Sequence, residues 1–444
     1  MNLEHAKAVV LTLLVSLSFM LTWGLWTYQP QYETINDNTY LQEVAIGNKR
    51  SLAEIVQPEL VVYHEDDKHF GMRKNEDIQA FNQQLTKWEA KSIEDVSAAV
   101  KEKGLPSFIR QNGSTEVIYP TSIPSYVFSK LFKTSEQIAL QSVDRLLIRW
   151  PDQGKNKFTM YFISMDEQKV VRATIEQNIA QGMKAARKRA SNNLEYFVYP
   201  INATRYLYLP DEKVNIPRLT YSAQLLESGD FKNALFNDPT VVKQYGSGQG
   251  ERSFTDGTRA LEVFHNDMLM RYVNPTDGEA PNEKSKQMLL NGIEFINDHS
   301  GWTDFYRLNH WDGSNQDVTY RLIVGNLPVF NLKNTQELVT IQQSFRDEQI
   351  YEYSRSLLNL RFKLDKESEQ ETVPSGYKLI QALKKTFPKY SPEKLNRATL
   401  GYQFVPVGYQ ASVVQFKPVW YVQYNGKWYK INLTDQGGSA NGLE

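Results

Sequence analysis

From Ala8 to Tyr28 the chain runs for 21 residues without a charged side chain. As a helix rising about 1.5 Å per residue, that run is roughly 31 Å long, the thickness of the hydrocarbon core of a bilayer. A cleaved secretory leader would carry a shorter apolar region of about 7–15 residues followed by small side chains at the cut site. Here the run ends instead in Trp23, Trp26 and Tyr28, rings suited to the boundary between membrane and water. The expectation is a retained transmembrane anchor within residues 1–30. Lys7 and the amino terminus favour a cytoplasmic leader, so the long remainder is expected outside the cell.

Composition bounds what that remainder does. The full chain has 444 residues, of which 41% are apolar and 12% aromatic, enough for two or three packed domains. Lys and Arg total 50 against 51 acidic residues, so no global field draws nucleic acid or an anionic membrane surface. There is no cysteine, which removes disulfides, thiolate metal sites and thiol nucleophiles together. An exported chain that folds without disulfides fits a bacterial surface protein, and a Gram-positive one in particular.

Hydrophobic spacing predicts an α+β ectodomain of mainly antiparallel sheets. A juxtamembrane linker covers 31–57, and three α+β domains follow at 58–140, 141–278 and 279–433, with a flexible tail at 434–444. Strands are expected at Leu60–Tyr63, and helices over 74–103, 166–190, 282–298 and 376–386. Asp256-Gly257, Asn266-Asp267, Asp312-Gly313 and Asn425-Gly426 read as hairpin turns. The stretches 117–131 and 207–226 share a strand, a proline and an Ile-Pro pair before an apolar stretch read as helical, an order that suggests an internal duplication.

The search for chemistry yields little. "HEDDKH" at 64–69 holds two histidines five apart, whereas a zinc protease helix needs them four apart on one face. The segment reads as a solvated charged turn. In "YGSGQGER" at 245–252 the third glycine is misplaced for a dinucleotide fingerprint. The histidines are scattered, no G-x-S-x-G elbow occurs, and acidic neighbours such as Asp66 and Asp67, or Asp347 and Glu348, fall in expected turns. The basic run "KAARKRA" at 184–190 reads as a solvated helix face. No catalytic, metal or cofactor-binding residue is assigned. Trp420, Tyr421, Trp428 and Tyr429 flank the Asn425-Gly426 turn. Most such aromatics pack a sheet face, but their number suggests an added partner-binding surface.

"LTWGLWTYQP", "VIYPTSIPSYVFSKLF", "FTDGTRALEVF", "LMRYVNP" and the closing "LGYQFVPVG" with "VQFKPVWYVQYNGKWYKIN" keep an order that resembles the YycH family across essentially the whole chain. These are membrane-anchored accessory regulators of the WalK/WalR (YycG/YycF) two-component system in Bacillus-like Firmicutes. The resemblance implies a non-enzymatic, single-pass protein of the cell membrane, with the WalK sensor kinase and YycI as partners and cell-wall metabolism as the regulated process. It further implies a C-terminal domain similar to that of YycI. Homodimerisation and the sign of regulation stay open. At 100° per residue, Ala8, Thr12, Ser16, Phe19 and Trp23 fall within a stripe of about 80°, the face expected to meet a partner helix. The alternative is an extracellular sensor that binds a cell-wall fragment or a peptide in a cleft between domains.

Overall fold

The computed structural model describes residues 3–27, 46–72, 75–134, 136–150, 157–175, 179, 182–183, 194–247, 251–264, 268–275, 287–331, 338–346, 349–365, 368–408, 411–434 and 437–443. The chain divides into two units, Met1–Gln42 and Glu43–Glu444.

The first unit contains α1, Leu3–Thr27. Its large apolar side chains are bare, with Phe19 and Trp23 about three-quarters exposed at 74% and 75%. Among the described residues, no helix is long and apolar enough to cross a membrane. The expected helix is therefore present, but the expected transmembrane span over Ala8–Tyr28 is not established, and Tyr28 lies outside the described residues.

The second unit opens with α2 (Leu52–Ile55) and builds a nine-stranded sheet. Its strands are β1 (Leu60–Glu65), β2 (Lys68–Met72), β3 (Ala90–Asp95), β4 (Ser114–Pro124), β5 (Ser142–Arg149), β6 (Phe158–Ser164), β7 (Lys169–Ile175), β8 (Leu194–Pro200) and β9 (Tyr206–Pro210). Their order is β3-β7-β6-β5-β4-β1-β2-β8-β9. Central strands such as "LLI" in β5, Leu146–Ile148, are apolar on both faces because helices cover both. Leu146, Met160 and Val171 pack with Phe81 of α3 (Asn75–Leu85) and Phe128 of α6 (Ser125–Leu131). Leu147, Ile163 and Val170 face the other way, onto Val100 of α4 (Ser97–Lys103) and Phe108 of α5 (Leu105–Ile109).

The remaining strands are β10 (Val214–Pro217), β11 (Leu219–Leu225), β12 (Lys243–Ser247), β13 (Glu251–Thr255), β14 (Ala260–Phe264), β15 (Leu269–Val273), β16 (Tyr306–Asp312), β17 (Asp317–Val324), β18 (Leu327–Phe330), β19 (Thr340–Arg346), β20 (Gln349–Ser356), β21 (Leu358–Lys363), β22 (Gln370–Val373), β23 (Leu395–Val407), β24 (Val413–Tyr424), β25 (Lys427–Thr434) and β26 (Gly437–Leu443). Three helices, α7 (Ser228–Leu235), α8 (Met288–His299) and α9 (Gly376–Thr386), lie among them in sequence. Strands β10 and β22 pair with each other, and the others form a second, mainly antiparallel sheet in which β18 and β23 run parallel. Strand β11 is inserted between β21 and β24.

Several sequence expectations change. The helix over 74–103 is broken by β3, an edge strand whose backbone pairs with β7. Ser92 there takes φ 55°, and the Asp95 carboxylate accepts the Ser97 amide at 2.8 Å to start α4 afresh. Over 166–190, the β-branched "KVVRATI" forms β7 instead of helix, while the basic run 184–190 lies outside the described residues. The proposed duplication fails because 125–131 is helix, whereas 219–225 in the other copy is strand. The hairpins at Asp256-Gly257, Asp312-Gly313 and Asn425-Gly426 and the helix over 376–386 are as expected. The turn at Asn266-Asp267 and the pair Asp347-Glu348 are outside the described residues. Residues 437–443, in the expected tail, pair with β25.

Candidate functional site

The "HEDDKH" segment is a tight hairpin. Asp66 and Asp67 turn it with φ 50° and 60° and are exposed, as a charged turn should be. Across that turn His64 pairs with His69, and their Nδ1 atoms lie 3.0 Å apart. His64 is 2% exposed and its Nε2 sits 3.4 Å from the Glu116 carboxylate. The solvated reading therefore holds for the aspartates and fails for the histidines.

Glu116 lies at the centre of this interior group, with no exposed surface. It accepts hydrogen bonds from Arg145 of β5, from the Tyr208 hydroxyl at 2.7 Å and from the Tyr206 hydroxyl at 3.2 Å. Burial alone would raise its pKa, but Arg145, His64 and Tyr208 outweigh burial and hold it at about 2. Burial pushes His69 down to about 4, with His64 and Arg110 acting in the same direction and Glu116 against them. Glu116 and Arg145 form an ion pair inside the sheet, and the Asp144 carboxylate lies 3.5 Å from the other side of the guanidinium. Among the described residues no cluster of His, Asp and Glu could hold a metal.

Beside it a cleft opens between the nine-stranded sheet and the second sheet. Its inner part holds about 170 Å³ and a wider part about 560 Å³, and Glu59, Arg145, Arg321 and Arg397 line both. Arg307 on β16 and Arg321 on β17 are 6% and 2% exposed. Arg307 donates to the Asn326 side chain at 2.9 Å and to the Pro58 carbonyl at 3.5 Å. Burial lowers its pKa to about 10, with Glu59 opposing. Arg321 donates to the Val329 carbonyl at 3.0 Å and lies 4.3 Å over the Phe330 ring. Arg397 on β23 reaches across to Glu59 at 3.0 Å. The sequence suggests a cleft between domains but names none of its residues, because its charges come from segments more than 300 residues apart, from Glu59 to Arg397.

The aromatic hairpin is mostly interior. Trp420 and Tyr421 are 2% and 0% exposed. Trp420 donates to the Pro374 carbonyl at 2.8 Å, and Tyr421 stacks on Phe330 at 4.0 Å. Trp428 and Tyr429 are half-buried, and the Arg397 guanidinium stands 5.2 Å over the Trp428 ring. Of the four residues expected to offer a partner surface, only these last two retain accessible area. On α1, Thr12, Ser16, Phe19 and Trp23 are exposed, while the Ala8 side chain is outside the described residues.

Residues 4–191 match the family described as YycH protein, N-terminal domain, and residues 204–438 match YycH protein, C-terminal domain. The chain is 25% identical over 462 residues to the "Two-component system WalR/WalK regulatory protein YycH" of Bacillus subtilis, covering 100% of both. The crystal structure of YycH from Bacillus subtilis superposes with a TM-score of 0.74 at 21% identity, over 88% of this chain and 99% of that one, which shows a shared fold. With matches to both domains of the family, the second of them spanning more than half of the sequence, the chain belongs to the YycH family.

Proposed function

We propose that this chain is a non-enzymatic accessory regulator of a WalK-type sensor kinase, anchored in the cell membrane by α1 with Glu43–Glu444 outside. The observation that carries this reading is the match, over its full length, to a relative named as a WalR/WalK regulatory protein. The uncharged run Ala8–Tyr28 and the bare apolar side chains of α1 support the anchor. A YycI-type protein is the second partner, its C-terminal domain resembling that of this chain, and cell-wall homeostasis is the regulated process.

In this proposal α1 packs beside the kinase's transmembrane helices through Ala8, Thr12, Ser16, Phe19 and Trp23. Close packing and hydroxyl hydrogen bonds drive such association, because lipid tails match apolar side chains in hydrophobicity. The regulator shifts the kinase only as far as it binds one kinase state more tightly than the other. A difference of about 1.4 kcal/mol moves that balance tenfold. Trp428 and Tyr429 are the remaining candidates for contact outside the membrane.

The test is WalR-dependent reporter output in cells that lack the native gene and carry one of three versions at matched membrane levels. These are the intact chain, residues 1–35 alone, and residues 36–444 on an unrelated single-span anchor. Control restored by residues 1–35 and not by the swapped anchor assigns the signal to the helix. Control restored only by the swapped version assigns it to the folded unit. An intact chain without effect on WalR output overturns the proposal.

A further inference from the structure

We infer that strand β21 docks on itself: two copies of this chain pair there antiparallel, about a two-fold axis through Leu364, and carry the second sheet from one molecule into the other. Strand β21 ends that sheet, with β11 as its one strand neighbour among the described residues. The Leu364 amide donates to the Thr220 carbonyl at 2.8 Å, which extends the β11 ladder one residue past β21. In an antiparallel pair, residues whose N–H and C=O face the partner strand alternate with residues whose groups face away. Lys363 and Asp365 therefore turn their backbone groups to the open side, where a second strand can meet them.

The side chains of this edge fit a copy of themselves. Phe362 lies opposite Ser222 and Lys363 opposite Tyr221, so Phe362 and Leu364 share one face of the sheet and Lys363 and Asp365 the other. Phe362 is 61% and Leu364 43% exposed, two large apolar groups at an open edge. Such an edge is a pairing template, which proteins commonly blunt with lysine. Here the charges flanking Leu364 are of opposite sign, and within one molecule neither forms an ion pair. Laid antiparallel on itself about Leu364, the strand sets Lys363 of each copy against Asp365 of the other, and symmetry makes the two contacts equivalent. Both are hydrogen-bonded pairs that exchange two backbone bonds and carry opposite charges across the strands. Leu364 meets its own equivalent, with Phe362 of the second copy on the diagonal, so four apolar side chains gather on one face.

Other parts of the sheet do not offer this match. Strand β12, also at an end of the sheet, has Lys243 as its one charged residue. In β21 itself the register shift between Ser222 and Ala223 leaves Arg361 out of the β11 ladder, which confines the regular edge to Phe362 and the residues after it. A pairing of so few residues buries under about 1,200 Å², the range of weak, transient association. The inference does not rest on the kinase reading, and either can fail alone.

The test exploits the absence of cysteine from the sequence. The full chain carrying Leu364→Cys is oxidised in detergent, and the rate of disulfide-linked dimer formation is followed on non-reducing gels. On the two-fold axis the Cα atoms of position 364 lie about 4.5 Å apart, within the roughly 4.4–6.8 Å that a disulfide spans. The Cα atoms of position 362 are offset by four residues, about 13 Å, so Leu364→Cys is expected to crosslink at least about tenfold faster than Phe362→Cys. Added to Leu364→Cys, Lys363→Glu or Asp365→Lys places like charges opposite each other twice, and each is expected to slow crosslinking about tenfold. The two together set opposite charges face to face again and are expected to recover the rate. Misfolding of a single variant would not be reversed by a second substitution, and association through α1 alone would be indifferent to both charges. Equal crosslinking at 362 and 364, single reversals without effect, or a double reversal as slow as the singles overturns the inference.

Discussion

Glu116 on β4 and Arg145 on β5 form a hydrogen-bonded ion pair inside the nine-stranded sheet, with Glu116 fully buried. The pair sits diagonally, because Arg145 lies opposite Ile118 in the strand register and Glu116 opposite Leu147. Removing one partner leaves the other charge uncompensated in the interior. Glu116→Gln is expected to cost about 3–5 kcal/mol of stability, read by urea denaturation. Glu116→Gln combined with Arg145→Met should cost less than the sum of the single changes, because the two opposed charges go together, leaving only Asp144, 3.5 Å from Arg145, without its cationic neighbour.

His69 makes the fold sensitive to mild acid. Its folded pKa, about 4, lies below the ordinary 6.5, so the unfolded chain takes up the proton first as pH falls. Stability is then lost between about pH 6.5 and 4. The groups around it are His64, Arg110 and Glu116. Glu116 titrates lower, toward about 2, and its contribution is lost only below its ordinary value of 4.5. His69→Gln should flatten the upper part of the pH profile of the denaturation midpoint and leave the lower part in place.

Gly376 sits where α9 meets β8 and β9. A Cβ added there would fall 2.4 Å from the Leu209 Cβ and 2.9 Å from the Phe197 ring. Next to it Tyr377 stacks on Phe197 at 3.9 Å. Gly376→Ala is expected to destabilise by about 1–3 kcal/mol through overpacking. Urea denaturation of this variant against wild type measures it, and a stability unchanged within about 0.5 kcal/mol would contradict the close approach.

Trp302 is fully buried, and its indole N–H donates to Asn297 Oδ1 at 2.9 Å. Its backbone pairs with Asn48, which ties the start of the folded unit to the segment between α8 and β16. Trp302→Ala is expected to cost about 3–5 kcal/mol, measured by thermal or urea denaturation. Proteolysis near residues 46–50 should quicken in the same variant, since the backbone that bridges to Asn48 is held in place by the buried ring.

Local features were legible in the sequence and assembled ones were not. Helix α9 shows its period in Leu379, Ile380 and Leu383, all buried, and Asn425-Gly426 shows its turn, with φ 52° and 79°. Both are decided by neighbours within a few residues. His64 and His69 carried a readable signal that the helix comparison obscured. Spacing of five is wrong for one helix face, yet it is the cross-strand spacing around a two-residue turn such as Asp66-Asp67. The aromatic hairpin misled in the other direction, because Trp420 and Tyr421 find partners in Pro374 and Phe330, which lie 46 and 91 residues away. Glu116, Tyr206 and Tyr208, or Glu59 and Arg397, look like ordinary strand residues until the sheets bring them together.

Strand β11 has a consequence for when this protein can finish folding. Leu219 finds its partner in Phe416, and Leu225 in Leu358, so neither side of the strand is satisfied when it emerges. Roughly 190 further residues must be made before both edges close, about 10–40 s at common rates of synthesis. For that interval an apolar strand with two open edges is a template for wrong pairing. The second sheet is thus committed to folding as a finished chain, and a nascent chain stopped short of β24 would hold β11 open on the β24 side for as long as it lasted.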